Sequence, residues 1–359
     1  MRSRERVQIS LDHQEPDRCP FSVGFTPEFS ARLRADLEEQ GRLPSGRVVP
    51  YDLERAMNVD MLLTFVGWAN CYYQEGENYT DEWGVSWQSV DHTTDYGTGR
   101  YTEPVGHPLK DDRALEMYQP PNPKRPELYF DARNVIRQFK DDYWIVGAVV
   151  CTIFETAWAL RGLERTFEDF VQNRELLKEI LDIPYQYHLV AAKKLVELGV
   201  DMIWLGDDMG GQEYMLISPQ DWRHFFKPLM ANFICELKNI NPDVKVAYHS
   251  DGNIYPIIPD LIEIGLDVLN PLQPASMDPA RLKEEFGDQL CFWGSLDIQH
   301  TLPYGTPQDV NNEVLERLRT VGKGGGFIIG PSHYVQIDTP MENFYAMVET
   351  VHNTPYQKI

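Results

Sequence analysis

The chain has 359 residues, of which 42% are hydrophobic, so it can form one large globular domain with a sizeable core. Its formal net charge is −22, with 55 acidic residues against 33 basic ones. A surface this acidic repels phosphate backbones and anionic lipids, so we expect neither nucleic acid nor a membrane surface as a partner. High solubility is the simpler consequence of the same charge.

The five cysteines are widely spaced and form no Cys-x-x-Cys pair, a pattern typical of reduced thiols in the cytoplasm. The start of the chain is charged rather than apolar, and it does not resemble a signal peptide. No apolar run approaches the roughly 18 residues of a membrane helix. We therefore expect a soluble, cytoplasmic protein.

Short apolar runs recur along the chain, and each is followed by an amphipathic segment. The runs are rich in β-branched and aromatic residues, and most are apolar throughout, as expected of parallel strands buried on both faces. The eight runs are Pro20–Phe25, Met61–Phe65, Trp144–Val149, Met202–Gly206, Val244–His249, Leu266–Pro271, Leu290–Gly294 and Gly326–Gly330. Eight strands that alternate with helices predict an α/β fold, the (β/α)8 TIM barrel.

An open, doubly wound parallel sheet is the alternative architecture. Such a sheet usually has a glycine-rich phosphate loop after its first strand. Here the first run continues into Gly24-Phe25-Thr26-Pro27-Glu28, which is not such a loop. The barrel is therefore favoured.

Helix starts are predicted from Ser/Thr residues that precede a proline or acidic residues. Ser218-Pro219, Thr306-Pro307 and Thr339-Pro340 each place a cap before proline at the first helical position. Met341-Glu342 follows the last pair and completes the pattern of a capping box. Thr166 is a further predicted cap, because acidic residues follow it.

The stretch from about residue 67 to 120 interrupts the alternation of strands and helices. It contains DEWGVSWQSV and DYGTGRY, and we interpret it as a β-ribbon insertion after the second predicted strand. Long loops inside a domain often act as lids or binding elements, but a packing role is equally compatible with this composition. With this insertion, residues 1–359 are predicted to form a single domain.

Barrel enzymes carry their active sites at the barrel mouth, where the carboxyl ends of the strands meet. Polar and aromatic residues follow most of the predicted strands, and their convergence counts for more than any one of them. The residues predicted to be catalytic are His249, Asp208 and His333. The residues predicted to bind substrate are Phe25, Glu155, Trp158, Asp207, Asn270, Gln273 and Gln336.

Three of these mouth residues predict a metal site. His249 and Asp251 are two residues apart and leave the fifth predicted strand on the same side, while His333 follows the eighth. Two imidazoles and a carboxylate suit zinc, or another divalent metal such as iron or manganese. Asp208 could then be a fourth ligand or a general base. Without a metal, the histidines would hydrogen-bond the substrate or act as acid and base near neutral pH.

Four stretches of the C-terminal half resemble the uroporphyrinogen decarboxylase superfamily. They are GDDMGGQEYMLISPQDWRHFFKP, HSDGNIYPIIPDLIEIGLDVLNPLQP, FWGSLDIQHTLPYGTPQDV and GGGFIIGPSHYVQIDTPMEN. The likeness covers most of the chain and is specific from about Val200 onward. This superfamily has a β/α-barrel fold, and it includes tetrapyrrole decarboxylases, methylcobamide:coenzyme M methyltransferases and other corrinoid-linked methyltransferases.

The methyltransferase branch is the better match. Decarboxylases of the family carry an arginine-rich motif just after the first strand, where this chain has no arginine. Methyltransferases carry a zinc motif of His-x-Cys and a later Cys. His249 matches the histidine, whereas Asp251 and His333 stand at the two cysteine positions. The loss of both thiolates makes coenzyme M a poor match as the methyl acceptor.

The resemblance implies a methyltransferase that moves a methyl group between a small O- or N-methylated substrate and a corrinoid (cobalamin) on a partner protein, with zinc or another divalent metal. It also suggests a homodimer. The alternative is a metal-free carboxy-lyase acting on a carboxylate or tetrapyrrole, for which Arg55, Arg100 and Arg161 are the nearest cationic candidates. A non-catalytic binding protein is a third hypothesis, and it predicts that His249→Ala leaves ligand affinity nearly intact.

Overall fold

The computed structural model describes residues 1–72, 74 and 78–359. In this part of the chain, seven parallel strands form one curved sheet with helices around it. The strands are β1 (Met61–Phe65), β5 (Trp144–Ala148), β6 (Met202–Gly206), β7 (Lys245–His249), β8 (Val268–Asn270), β9 (Cys291–Leu296) and β10 (Phe327–Pro331). Each strand pairs with the next one in this list, as expected when every crossover runs in the same sense around a barrel.

The segment Pro20–Phe25 lies between β10 and β1, the two edges of the curved sheet. The amide of Ile329 in β10 donates to the carbonyl of Pro20 at 2.8 Å, and the amide of Asp60, just before β1, donates to the carbonyl of Phe21 at 2.8 Å. The predicted (β/α)8 barrel is thus confirmed.

The prediction of a regular strand over Pro20–Phe25 is wrong, because the segment forms only isolated parallel bridges, Phe21 with Ile329 and Phe25 with Val335. Proline has no amide hydrogen to donate to a ladder. The amide of Phe21 donates instead to the side-chain carboxylate of Asp60, at 2.8 Å. The side chain of Asp60 therefore replaces a main-chain hydrogen-bond acceptor at this position of the barrel.

Two of the four predicted helix caps are confirmed. Ser218 and Thr306 accept hydrogen bonds from the amides three residues later, at the starts of α8 (Pro219–Phe225) and α13 (Pro307–Arg317). No described helix is long and apolar enough to cross a membrane. The helices are α1 (Ser3–Leu11), α2 (Pro27–Glu39), α3 (Asp52–Ala56), α4 (Phe130–Phe139), α5 (Phe154–Arg161), α6 (Leu163–Gln172), α7 (Arg174–Leu198), α8 (Pro219–Phe225), α9 (Lys227–Ile240), α10 (Ile258–Glu263), α11 (Pro279–Phe286), α12 (Thr301–Tyr304), α13 (Pro307–Arg317) and α14 (Met341–Asn353).

The other two predicted caps are wrong. Helix α14 begins at Met341, after Pro340, so the hydroxyl of Thr339 is one residue too early to cap it. Thr166 lies inside α6, and its hydroxyl donates to the carbonyl of Gly162 at 2.9 Å. A threonine inside a helix makes this backward bond instead of capping.

Tryptophan side chains fill the barrel interior. Alternate residues of the strands point inward, and Trp144, Trp204 and Trp293 form one buried cluster with aliphatic neighbours. The rings of Trp204 and Trp293 have their centroids 4.8 Å apart. Val7 and Leu11 of α1 belong to the same cluster. Buried side chains therefore fill the barrel interior, and a small molecule can reach only the side chains at the barrel mouth.

The predicted β-ribbon insertion after β1 is confirmed as a three-stranded antiparallel sheet of β2 (Asn78–Thr80), β3 (Ser86–Thr94) and β4 (Gly97–Gly106). A buried carboxylate, Asp81, organises its base. It accepts hydrogen bonds from the indole nitrogens of Trp68 (3.2 Å) and Trp87 (2.8 Å). It also accepts from the amides of Trp83 (2.9 Å) and Val85 (3.0 Å).

Candidate metal and active site

The carboxyl ends of β7 and β10 bring two histidines and an aspartate together. One ligand atom from each of His249, Asp251 and His333 lies within 4.8 Å of the others. Nε2 of His249 is 3.9 Å from Oδ1 of Asp251, and the imidazole centroids are 5.9 Å apart. Zinc takes histidine nitrogens and carboxylate oxygens at about 2.0–2.2 Å. A small inward movement of these side chains would give such bonds, so the donor set fits a divalent ion.

Glycines allow the backbone to bring this triad together. Gly252 has a φ of 76°, and a Cβ there would lie 2.5 Å from the carbonyl oxygen of Gly210. A Cβ on Gly206 would lie 2.6 Å from the Cβ of His249. Only glycine permits approaches this close. The close approaches at Gly206, Gly210 and Gly252 were not predicted from the sequence, although GDDMGG and SDG lie at the ends of two predicted strands.

Asn270 and Trp204 contact the imidazole of His249 and fix its position. Its Nδ1 is 2.7 Å from Oδ1 of Asn270, and Nδ2 of Asn270 donates to the carbonyl of Trp293 at 3.0 Å. The indole of Trp204 lies edge-on to the imidazole, with centroids 5.5 Å apart. Asn270 was predicted to bind substrate, but both ends of its amide are engaged within the protein.

Asp208 lies beside the triad, as the sequence predicted. Its Oδ1 is 3.7 Å from Nε2 of His249 and accepts a hydrogen bond from the amide of Asp251 at 2.8 Å. The amide of Asp208 donates to Oε2 of Glu155 at 3.3 Å. A chain of contacts therefore links the start of α5, which carries Glu155, to the triad.

Asp207 is a buried carboxylate that fixes the start of α5 next to the site. It is 2% exposed, and its carboxylate accepts hydrogen bonds from the amides of Ile153 (2.9 Å) and Glu155 (2.9 Å) at the start of α5. Burial raises the pKa of Asp207 to about 8, although these amides oppose the shift. Burial also raises the pKa of Glu155 well above its usual range, and the charges of Asp208 and Asp207 add to the effect.

Desolvation also shifts the pKa values of Asp251 and His333. Burial raises the pKa of Asp251, and the nearby His249 opposes this shift. The side chain of His333 is exposed at the cavity, yet desolvation lowers its pKa, while Asp251 opposes that change. The shift of His333 favours the neutral imidazole, which is the form that binds a metal, whereas Asp251 must lose its proton to become a ligand.

A cavity of about 300 Å³ adjoins the triad, large enough for a small molecule. Its lining includes Asp251 and His333 together with the predicted Gln273 and Gln336, and none of the described residues that line it is lysine or arginine. Oε1 of Gln273 accepts a hydrogen bond from the amide of Gly252 at 2.9 Å. Gln212, Asp297 and Gln299, which follow β6 and β9, also line the cavity, although they were not among the residues predicted to bind substrate.

Trp158 and Phe25 lie outside the described lining of this cavity. Trp158 on α5 is half-buried, and its ring centroid is 6.4 Å from that of Trp68 in the insertion. Phe25 packs against Phe29 of α2 and Phe344 of α14, with centroid distances of 5.9 and 5.8 Å. The structure thus places these two aromatic residues around the barrel mouth rather than beside the triad.

The family model for uroporphyrinogen decarboxylase (URO-D) matches residues 89–354. The chain belongs to this family. The match confirms the resemblance read from the sequence and extends it well upstream of Val200.

Curated URO-D relatives include both decarboxylases and a methyltransferase. A uroporphyrinogen decarboxylase of Trichodesmium erythraeum is 22% identical over 248 residues, which cover 67% of this chain and 67% of the relative. One from Legionella pneumophila is 25% identical over 261 residues, 68% of this chain and 69% of the relative. The methylcobamide:CoM methyltransferase MtaA of Methanosarcina barkeri is 24% identical over 178 residues, 50% of this chain and 49% of the relative.

A solved structure of a methyltransferase from Methanosarcina mazei has the same fold as this URO-D family member. The two superpose with a TM-score of 0.70, over 98% of this chain and 99% of that chain, at 18% sequence identity. The likeness supports the barrel fold of this chain.

Proposed function

We propose that this protein is a methyltransferase of the URO-D family, which moves a methyl group between a small O- or N-methylated substrate and a corrinoid carried by a partner protein. One observation carries the proposal: His249, Asp251 and His333 offer a divalent metal three ligands at the barrel mouth, next to a cavity for a small molecule. The methyltransferase branch, by resemblance, places its zinc ligands at these positions.

A divalent ion such as zinc, when bound by this triad, supplies Lewis-acid activation of the heteroatom that carries the methyl group. The protein's own carboxyl groups handle the proton. Glu155, whose pKa burial raises well above its usual range, is the acid that donates a proton to the oxygen or nitrogen as the methyl group leaves. In the reverse direction Glu155, as the carboxylate, takes that proton back, and Asp208, which contacts Glu155 through its amide and is 39% exposed, exchanges the proton between Glu155 and water.

The donor set favours oxygen or nitrogen substrates over thiols. Thiolate ligands make zinc soft and electron-rich, whereas imidazole and carboxylate ligands leave it a harder Lewis acid. Asp251 and His333 occupy the places of the family's cysteines. We therefore assign the metal to activation of an ether, phenol or amine, and not to the activation of coenzyme M.

A carboxy-lyase is the second candidate, because several relatives are decarboxylases. The cationic residues that such an enzyme needs are engaged elsewhere. Arg161 is buried in an ion pair with Asp169 at 2.7 Å, and Arg100 pairs with Asp91 at 2.9 Å. The guanidinium of Arg55 lies 5.1 Å from the centroid of an aromatic ring of α4. A carboxylate substrate would meet acidic side chains in the cavity without an opposing lysine or arginine from its described lining.

The test measures methyl transfer and metal content in the same preparations. Purified protein is incubated with cob(I)alamin and a panel of methoxyaromatic compounds and methylamines, and methylcobalamin is followed by its absorption spectrum. We expect transfer from at least one donor and about one divalent metal per chain. His249→Ala and His333→Ala should lose both, whereas His224→Ala, which alters an exposed histidine on α8, should lose neither.

Three results would contradict the proposal. Well-folded protein that transfers no methyl group from any donor removes the methyltransferase assignment. Release of carbon dioxide from a carboxylated substrate by metal-free protein establishes the lyase instead. Unchanged ligand affinity in His249→Ala, without any turnover, would favour a binding protein. The homodimer and the cytoplasmic location stay predictions.

A further inference from the structure

Asn270 lies behind His249 at the end of β8, and the chemistry of its neighbours fixes the orientation of its amide. One end of the amide is 3.0 Å from the carbonyl oxygen of Trp293. A carbonyl oxygen can only accept a hydrogen bond, so the end that faces it must be Nδ2. The other end, which faces Nδ1 of His249 at 2.7 Å, is therefore Oδ1.

This orientation determines where His249 carries its proton. An amide oxygen can only accept, so Nδ1 of His249 must donate in this contact. In the neutral imidazole Nε2 is then unprotonated, with its lone pair available. Nε2 is also the ring atom that lies 3.7 Å from Oδ1 of Asp208 and 3.9 Å from Oδ1 of Asp251. The lone pair is thus on the side of the ring where the other ligands of the triad lie.

The main chain holds the two residues in this relationship. His249 and Asn270 are register partners on the adjacent strands β7 and β8. The amide of Ser250 donates to the carbonyl of Asn270 at 2.9 Å, which continues the ladder past the strand end. Asn270 is 4% exposed, so water has little access to compete for its amide.

We propose that Asn270 is a positioning residue, which holds His249 in the tautomer with Nε2 unprotonated and directs that nitrogen toward Asp251 and His333. This role of Asn270 rests on the proposed function, because an unprotonated Nε2 is the form that binds a metal. The tautomer itself exists whether or not a metal is bound. This role replaces the substrate contact predicted for Asn270 from the sequence.

The first test uses metal-free wild-type protein and needs no variant at Asn270. Two-bond ¹H–¹⁵N spectra of protein with ¹⁵N-labelled histidine, recorded at a pH where the imidazole is neutral, distinguish protonated from unprotonated ring nitrogens. The His249 signals are assigned by their disappearance in His249→Gln. We expect a protonated Nδ1 and an unprotonated Nε2. The opposite assignment overturns the proposal.

The second test compares zinc affinity in two variants of Asn270. In Asn270→Asp a carboxylate oxygen still accepts from Nδ1–H, whereas the donor to the carbonyl of Trp293 is lost, so we expect a lower free energy of unfolding but zinc affinity within a few-fold of wild type. In Asn270→Leu the acceptor is gone, the proton is free to move to Nε2, and we expect affinity to fall about 10- to 100-fold, as for other residues that orient metal ligands. This rescue by Asp is a readout that a merely structural role would not give.

Asn343→Leu is the matched control. Asn343 is 1% exposed, and its Nδ2 donates to the carbonyls of Leu302 (2.9 Å) and Gly305 (2.7 Å), at the start of α14. Its loss should lower stability without changing zinc affinity. Equal loss of affinity in Asn343→Leu and Asn270→Leu, or failure of Asn270→Asp to retain affinity, overturns the positioning role. A protonated Nδ1 in wild-type protein that binds no divalent metal supports the tautomer and counts against the proposed function alone.

Discussion

The amide of Asp251 donates a hydrogen bond to Oδ1 of Asp208 at 2.8 Å, which joins the loop after β7 to the loop after β6. The same carboxylate oxygen lies 3.7 Å from Nε2 of His249. Asp208 therefore has two separable properties: it accepts a hydrogen bond that fixes a metal-ligand loop, and it places a charge beside the imidazole. Two substitutions distinguish them.

Asp208→Asn keeps an oxygen acceptor for the amide of Asp251 but removes the charge. We expect zinc affinity within a few-fold of wild type and a fall in methyl transfer of about 100-fold or more, the usual loss when an acid–base group is removed. Asp208→Ala removes the acceptor as well, so zinc affinity should also fall about 10- to 100-fold. Zinc titration and the rate of methylcobalamin formation measure the two effects. Full activity in Asp208→Asn would show that Asp208 has no acid–base role.

Gly206→Ala tests whether the backbone at the end of β6 sets the position of His249. The added Cβ would lie 2.6 Å from the Cβ and 2.9 Å from the carbonyl oxygen of His249, so the imidazole must move. We expect a loss of about 1–3 kcal/mol in the free energy of unfolding, typical of overpacking, and at least a 10-fold loss of zinc affinity. Gly322→Ala is the control, because its added Cβ would meet no atom closer than 3.6 Å. Unchanged zinc affinity in Gly206→Ala would refute this role.

The location of the site could be predicted from the sequence, because the carboxyl ends of parallel strands all open at one mouth. That rule alone brings His249, Asp251 and His333 to the same end of the barrel. A regular strand was predicted over Pro20–Phe25, but the segment forms only isolated bridges. Its pairing depends on the carboxylate of Asp60, about forty residues away in the chain. Apolar periodicity carries no information about such a partner.

The roles of individual residues were harder to predict than their location. Asn270 was assigned to the substrate, and only the carbonyl of Trp293, on the next strand, shows that its amide is already engaged. Asp207 and Asp208 are adjacent in the sequence, yet the first is 2% exposed beneath α5 and the second lies beside the triad. Alternation along a strand predicts that adjacent residues such as Asp207 and Asp208 point in opposite directions. It does not predict which of the two points toward the triad.

His188 should make stability depend on pH. It is fully buried, its Nδ1 lies 2.9 Å from the carbonyl of Pro184, and its Nε2 accepts from the amide of Trp68 at 3.3 Å. Burial lowers its pKa from 6.5 to about 4. The unfolded chain therefore binds a proton between these values that the folded protein does not, so stability is lost as pH falls from about 6.5 to about 4. The shift corresponds to about 3 kcal/mol.

Urea unfolding at a series of pH values measures this dependence. His188→Gln removes the titrating group, so the free energy of unfolding of the variant should fall less between pH 6.5 and 4 than that of wild type. His224→Ala, at an exposed histidine, is the control and should keep the wild-type slope. Equal slopes for wild type and His188→Gln would show that this histidine is not the source of the dependence.

Asp81 tests whether the insertion shapes the barrel mouth or only packs against the barrel. Asp81→Asn keeps an oxygen acceptor but loses the charge that faces the indoles of Trp68 and Trp87, so we expect a loss of about 2 kcal/mol in the free energy of unfolding. Trp68 is in ring contact with Trp158, one turn along α5 from Glu155. Loosening the insertion should therefore raise KM for the methyl donor several-fold while kcat changes little.

Asp91→Asn provides a control within the same insertion. Asp91 forms an exposed ion pair with Arg100, and its side chain is 55% exposed. Exposed pairs of this kind contribute about 0–1 kcal/mol, so stability and KM should both stay near wild type. If Asp81→Asn lowers stability as expected but leaves KM unchanged, the insertion is a packing element. A rise in KM in Asp81→Asn alone, measured well below the unfolding temperature of each variant, makes it a wall of the substrate site.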